Sequence, residues 1–148
     1  MTGLVRSVPI EVQSSGREAF RGRRVVTTMS KDNPLEWISV WARFNIRVHR
    51  PDAIIILDNG STIYDCAAVR TCLGQIDGLK AFVVVPWSYP YGPNTGPAKV
   101  QDPFYCQPGP LDHVRRRYCP ASRAVLNTDV DEMVVGAPGE SVFEAAER

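Results

Sequence analysis

An α/β fold, with a largely parallel sheet flanked by helices, is predicted by three features of the chain. Short β-branched apolar runs alternate with stretches of helical periodicity. The run Ala53 to Leu57 is apolar without interruption, as in a strand buried on both faces. That run breaks off abruptly into the polar turn Asp58-Asn59-Gly60-Ser61. Strand, helix, strand, helix, strand, long loop, strand implies right-handed crossovers between parallel neighbours.

Val25-Val26-Thr27-Thr28 is β-branched throughout and reads as the first strand. Asn33, Pro34 and Glu36 then fit the N-cap, first helical position and third position of a capping box, so a helix is expected from Pro34. Trp37, Trp41, Phe44 and Val48, with Ile38 alongside, recur at helical spacing and are expected to face the core, while Arg43, Arg47 and Arg50 lie elsewhere. Ala53 to Leu57 forms the second strand. A second helix is expected from Thr62 to Leu73, capped by Ser61 and stopped by Gly74. Phe82 to Val85 is the third strand and Arg123 to Asn127 the fourth.

Between these last two strands the chain changes character. Eight of its twelve prolines fall between Pro86 and Pro120, which forbids a central strand or one continuous helix there. Residues 86–120 are therefore read as a long loop packed through its aromatics, with a short helix from about Leu111 to Tyr118. Residues 1–22, rich in Arg, Ser and Gly and without periodicity, read as a loosely ordered arm preceding one domain over 23–148.

Composition narrows the function classes. The 148 residues carry seventeen Lys plus Arg against sixteen Asp plus Glu, for a net charge of +1. Such a balance provides no global field for a polyanion, and no nucleic-acid partner is expected. The longest apolar runs fall far short of the roughly 20 residues of a membrane-spanning helix. Met1 to Glu11 lacks the apolar core of a signal peptide, so a cytoplasmic location is the default expectation. Cys66, Cys72, Cys106 and Cys119 lack the close pairing of zinc or redox motifs and are read as reduced core thiols. Charge is uneven: residues 1–50 carry nine basic side chains against four acids, and residues 101–148 five against eight. Glu140, Glu144 and Glu147 in that acidic third are read as a solvated surface.

The sharpest feature is a pair of acidic groups at strand ends. Asp58 and the pair Asp129/Asp131 each follow an apolar strand, and parallel strands would bring both to one edge, where ligands of such sheets bind. If Asp129-Val130-Asp131 is extended, its two carboxylates share one side and Glu132 takes the other. Hard oxygen ligands of this kind suit Mg²⁺ or Mn²⁺. His49, at a helix end, and His113 are expected at the surface. The run Arg115-Arg116-Arg117 is read as a solvated helix face, and Lys99 as another candidate charge near a phosphate.

In order, Val25-Val26-Thr27-Thr28, Glu36-Trp37-Ile38, Ile56-Leu57-Asp58-Asn59-Gly60-Ser61 and Asn127-Thr128-Asp129-Val130-Asp131-Glu132 resemble the nucleotide-sugar-binding half of GT-A-fold glycosyltransferases. The similarity runs from about Val25 to Val135 and is greatest to family-2-like members whose strands end in D-N-x-S and D-x-D-E. It implies a nucleotide-sugar donor, a UDP-sugar by preference, bound with Mn²⁺ or Mg²⁺. It implies that Asp58 contacts the base or ribose, that Thr27 lies on a strand whose end lines the nucleotide pocket, and that Asp129 and Asp131 contact ribose and metal-bound diphosphate. Asp131 and Asp129 are then the metal residues, with Asp131 the foremost direct ligand. The sequence departs from the family in carrying Ser30-Lys31-Asp32-Asn33 where an Asn-Glu pair is common. In the resembled enzymes the acceptor half, with an inverting enzyme's base, lies downstream of D-x-D. A truncated donor-binding half is therefore expected, and the acceptor, whether glycan, lipid or protein, is left open. The alternatives are a noncatalytic nucleotide-binding remnant and an α/β phosphoryl-transfer domain. A Rossmann dehydrogenase is disfavoured because no G-x-G-x-x-G follows a strand.

Overall fold

The computed structural model describes residues 15–91 and 106–148. Its centre is a four-stranded, all-parallel sheet of order β3-β2-β1-β4, with β1 Arg24–Ser30, β2 Ala53–Asp58, β3 Ala81–Pro86 and β4 Ala124–Asn127. All four expected strands are present, each within two residues of its expected bounds. Helices α1 Leu35–His49 and α2 Cys66–Gly74 make the crossovers from β1 to β2 and from β2 to β3. The return to β4 passes through α3 Pro108–His113, which runs on into a π turn, Val114–Tyr118. This helical stretch begins three residues before the expected Leu111; much of the proline-rich loop, with Lys99, lies outside the described residues.

Strand alternation assigns the two faces. Val26, Ile54, Ile56 and Val84 pack with Ile38, Trp41 and Ala42 of α1 and Val69 and Leu73 of α2. Val25, Ala53, Ile55 and Leu57 pack on the other face with Phe20, Val114 and Cys119. Every residue of β2 is buried, which is why its sequence is apolar without alternation. The expected arm lies in part outside the described residues, but Arg17–Phe20 forms a 3₁₀ turn that places Phe20 in this second layer.

The first helix differs from expectation in which face it buries. Ile38, Trp41, Ala42, Asn45 and His49 are buried, whereas Trp37 is 55% exposed. The buried stripe is displaced by one residue from Trp37-Trp41-Phe44-Val48, roughly 100° of rotation. Pro34, not Asn33, is the N-cap; the Asn33 amide instead donates to Ser30 Oγ at 3.0 Å. His49 is no surface residue. Val142 N–H donates to its Nδ1 at 3.3 Å, so the ring proton sits on Nε2 and is given to Val134 O at 2.8 Å.

Those contacts belong to the C-terminal segment, which crosses back onto the α1 layer. Val130 and Phe143 enter its core, and α4 Val142–Ala146 opens with a capping box between Ser141 and Glu144. Glu147 takes a two-point contact from Arg24 at 2.9 and 2.7 Å and also pairs with Arg123; Glu140 pairs with Arg148. Of the acids expected as plain solvated surface, Glu147 thus fastens the C-terminal segment to β1, Glu144 caps α4 and Glu140 pairs within the segment. The described cysteines are all free thiols. Among the described residues no helix is long and apolar enough to cross a membrane.

Burial of β2 on both faces predicts that Ile54→Ala and Ile55→Ala each cost about 2–5 kcal/mol. Val125→Ala, at an edge where the side chain is 38% exposed, should cost about 1 kcal/mol or less. Urea denaturation measures all three. Tolerance of one isoleucine substitution but not the other would mean that one face of the sheet is uncovered.

Candidate functional site

From β1 the chain steps outward to β2 and β3, then returns to pair β4 on the far side of β1. The β1 and β4 exits therefore lead in opposite directions. α1 covers one face and the connection containing α3 covers the other, and a crevice opens between them. A cleft of about 530 Å³ lies there, lined among others by Thr27, Met29, Lys31, Leu57, Asn59 and Leu111, and by Asn127, Asp129, Asp131 and Glu132. Thr27 and Asn127 are partners in the β1–β4 register and stand side by side at its base. Thr27 is buried and its Oγ1 has no hydrogen-bond partner. An unmatched hydroxyl in such a position costs about 1–3 kcal/mol, and it sits where a ligand would dock.

The loops beneath the cleft are clasped together. Asp32 takes a left-handed conformation, φ 53°, and its Oδ1 accepts from Thr62 N at 2.6 Å and Ile63 N at 3.3 Å. These contacts, Thr62 N–H foremost, hold its carboxyl below the usual carboxylate range. Asp32 N–H donates to Ser61 Oγ at 2.9 Å, and the Ser61 hydroxyl donates to Asp58 Oδ1. Ser61 is thereby drawn away from the helix it was expected to cap. α2 starts only at Cys66, capped by Asp65, whose side chain accepts from Ala68 N at 2.9 Å. Asn59 ties three strands: its N–H donates to Ser30 O at 2.8 Å, and its amide donates to Trp87 O and Tyr89 O, each at 2.8 Å. Gly60, at φ 76°, supplies the left-handed turn that this clasp needs.

The sequence-derived candidates separate here. Thr27, Asp129 and Asp131 come together around the cleft; Asp58 does not line it. Its carboxylate lies behind, 7% exposed, accepting from Ser61 Oγ, from Ser61 N at 3.4 Å and from the Cys66 thiol at 3.7 Å. Asn59, beside it, reaches the cleft instead.

Asp-Val-Asp-Glu is a turn and not an extended segment. Glu132 N–H donates to Asp129 O at 3.0 Å, and the Glu132 carboxylate folds back to accept from Asp129 N at 3.0 Å and Thr128 Oγ1 at 3.2 Å. Val130 anchors the turn in the core. All three acids consequently line the cleft, and the expected opposite placement of Glu132 is overturned. Burial pushes the Asp129 carboxyl above its usual range, and the neighbouring Glu132 and Asp131 charges push it further.

Among the described residues the Asp129 and Asp131 carboxylates join none of the ion pairs, and hard carboxylates of this kind are the ligands a divalent cation takes. Among the described residues, however, no group of three or more His, Cys, Asp or Glu side chains is arranged to hold one, and one Glu132 oxygen is already engaged by the turn. At most one or two carboxylates of this turn would therefore be free to meet an ion. Lys31, Asn59, Asn127 and Glu132 are among the cleft residues to which sequence reasoning assigned no site role. Glu132 had a legible signal, an acid three residues after Asp129 as in a capping box.

No family model matches the chain, and neither a curated protein nor a solved structure matches it.

A carboxyl with a raised folded-state pKa binds its proton more tightly in the native protein than in the unfolded chain, so its ionisation costs stability as pH rises through the carboxylate range. Asp129→Asn should therefore raise the melting temperature at neutral pH. The gain should shrink toward the acid pH at which Asp129 is protonated in both states. Thermal melts of parent and variant across that range measure it, and a lower melting temperature for the variant at neutral pH would contradict the electrostatic reading.

Proposed function

We propose that the chain is the donor-binding half of a GT-A-fold glycosyltransferase, taking a nucleoside diphosphate sugar, a UDP-sugar by preference, with Mn²⁺ or Mg²⁺. The observation that carries this reading is the meeting of Asp129 and Asp131 with the Thr27–Asn127 pair in one cleft between β1 and β4. An α/β sheet of this order offers its ligand crevice at that point. Among the described residues the carboxylate pair has no ion-pair partner and the buried Thr27 hydroxyl no hydrogen-bond partner, which leaves both a charge and a hydrogen bond for a ligand to satisfy.

The cleft's chemistry suits such a donor. Met29, Leu57 and Leu111 provide apolar wall for a base or ribose, and Asn59 and Asn127 supply amides. Asp129 and Asp131 would hold the cation, which requires both to be ionised; affinity should rise with pH as Asp129 loses its proton. When bound, the ion neutralises charge that gathers on the diphosphate as the glycosidic bond breaks. Asp58 acts from behind, receiving Ser61 so that the turn carrying Asn59 keeps its shape.

With Mn²⁺ present, saturating UDP should raise the melting temperature by about 5–10 °C, the mass-action gain of a ligand well above its dissociation constant. GDP and ADP should do less and NAD nothing; stabilisation by NAD alone would overturn the reading. Asp131→Asn should weaken UDP binding at least about tenfold in Mn²⁺ and have little effect in EDTA, by calorimetry. Equal loss in both conditions would remove Asp131 from the metal.

A further inference from the structure

We propose that Lys31 is the protein's own cationic contact to the diphosphate, facing the bound ion's carboxylates from the opposite rim of the cleft. The inference rests on the nucleotide-sugar reading and adds a residue to it. Among the described residues, three acids and one base, Lys31, line the cleft. One divalent ion balances the diphosphate of an intact nucleotide sugar, but the acids on the rim add further negative charge, and the departing nucleoside diphosphate carries one charge more. Lys31 is the cleft group able to offset the remainder.

Position supports this. Thr27 and Asn127 are the last register pair of β1 and β4, and Lys31 and Asp131 each lie four residues beyond it. The two loops therefore flank the crevice symmetrically in chain distance. Lys31 is also a prepared group. The residue before it is tethered twice, Ser30 O accepting from Asn59 N at 2.8 Å and Ser30 Oγ from the Asn33 amide at 3.0 Å. The residue after it, Asp32, is locked by Thr62, Ile63 and Ser61. The acid nearest in sequence thus spends its carboxylate on the β2–α2 loop. Among the described residues the Lys31 ammonium joins none of the ion pairs, unlike Arg24, Lys80, Arg116 and Arg123. An exposed ammonium at the rim, on a backbone tethered on both sides, loses less freedom on meeting a phosphate oxygen than one on an untethered loop.

Titrate UDP and uridine into the parent chain, Lys31→Met and Lys31→Arg, in Mn²⁺ and in EDTA, by calorimetry. Lys31→Met keeps most of the side chain's length and removes its charge. It should weaken UDP about tenfold or more, the size of one charged hydrogen bond, in both conditions, and leave uridine binding unchanged. Lys31→Arg should restore most of the loss. If the parent binds UDP and Lys31→Met binds it equally well, Lys31 makes no phosphate contact and this inference falls alone. A matching loss for uridine would show a structural effect on the cleft and overturns it too. If the parent binds neither UDP nor uridine, the nucleotide reading fails and takes the inference with it.

Discussion

Parallel pairing of β1 with β4, on the side away from β2, is the constraint on which the rest depends. Because β1 is paired on both edges, the chain must leave it in one direction and come back on the other side. The two crossover helices take one face, and Val114 and Cys119 at the end of the return, with Phe20, take the opposite face. A right-handed crossover rule applied to this strand order leaves a crevice at the carboxyl ends. The doubly buried β2 supplies much of the apolar burial that holds the sheet together while the crevice stays open.

Against that frame the acids divide into two kinds. Asp32, Asp52, Asp65, Glu144 and Glu147 are each met by a backbone N–H or a basic side chain, and Asp58 by Ser61. They close loops, cap helices and fasten the C-terminal helix. Asp129 and Asp131 have no hydrogen-bond or ion-pair partner for their carboxylates among the described residues, and Asp129 is pushed toward its neutral form by burial and by its neighbours. Those six are satisfied, and so is Glu132 by its own turn, whereas Asp129 and Asp131 in the same cleft are not. Unsatisfied charge in a cleft is one mark of a candidate binding site.

The strands were legible because uninterrupted β-branched runs have few other uses, and the strand-end acids because polar residues following such runs mark the sheet's open end. The face of α1 was misread because large apolar residues dominate a periodicity. Ala42 lets the helix approach the sheet, Asn45 spends its amide on Trp41 O at 2.9 Å, and His49 is satisfied by backbone from a segment some ninety residues on. Ser61 before an apolar stretch looks like an N-cap, yet its hydroxyl is worth more to Asp58 and Asp32 across a loop. The same long-range clasp turned Asp58 behind the cleft. Asp129 to Glu132 was misread as extended because alternation assumes a strand, whereas Glu132 returns to its own turn. In each case the missing information is tertiary: which partner a short polar side chain meets.

The central claim is that the Asp129–Glu132 turn and the Thr27–Asn127 floor form one metal- and nucleotide-dependent site. Paramagnetic broadening of amide NMR signals by substoichiometric Mn²⁺, with and without UDP, tests it most directly. UDP should concentrate the broadening on the amides of Asp129 to Glu132, with Thr27 and Asn127 affected next. Broadening centred on the acidic residues Glu140 to Glu147, or broadening that UDP does not alter, would contradict it.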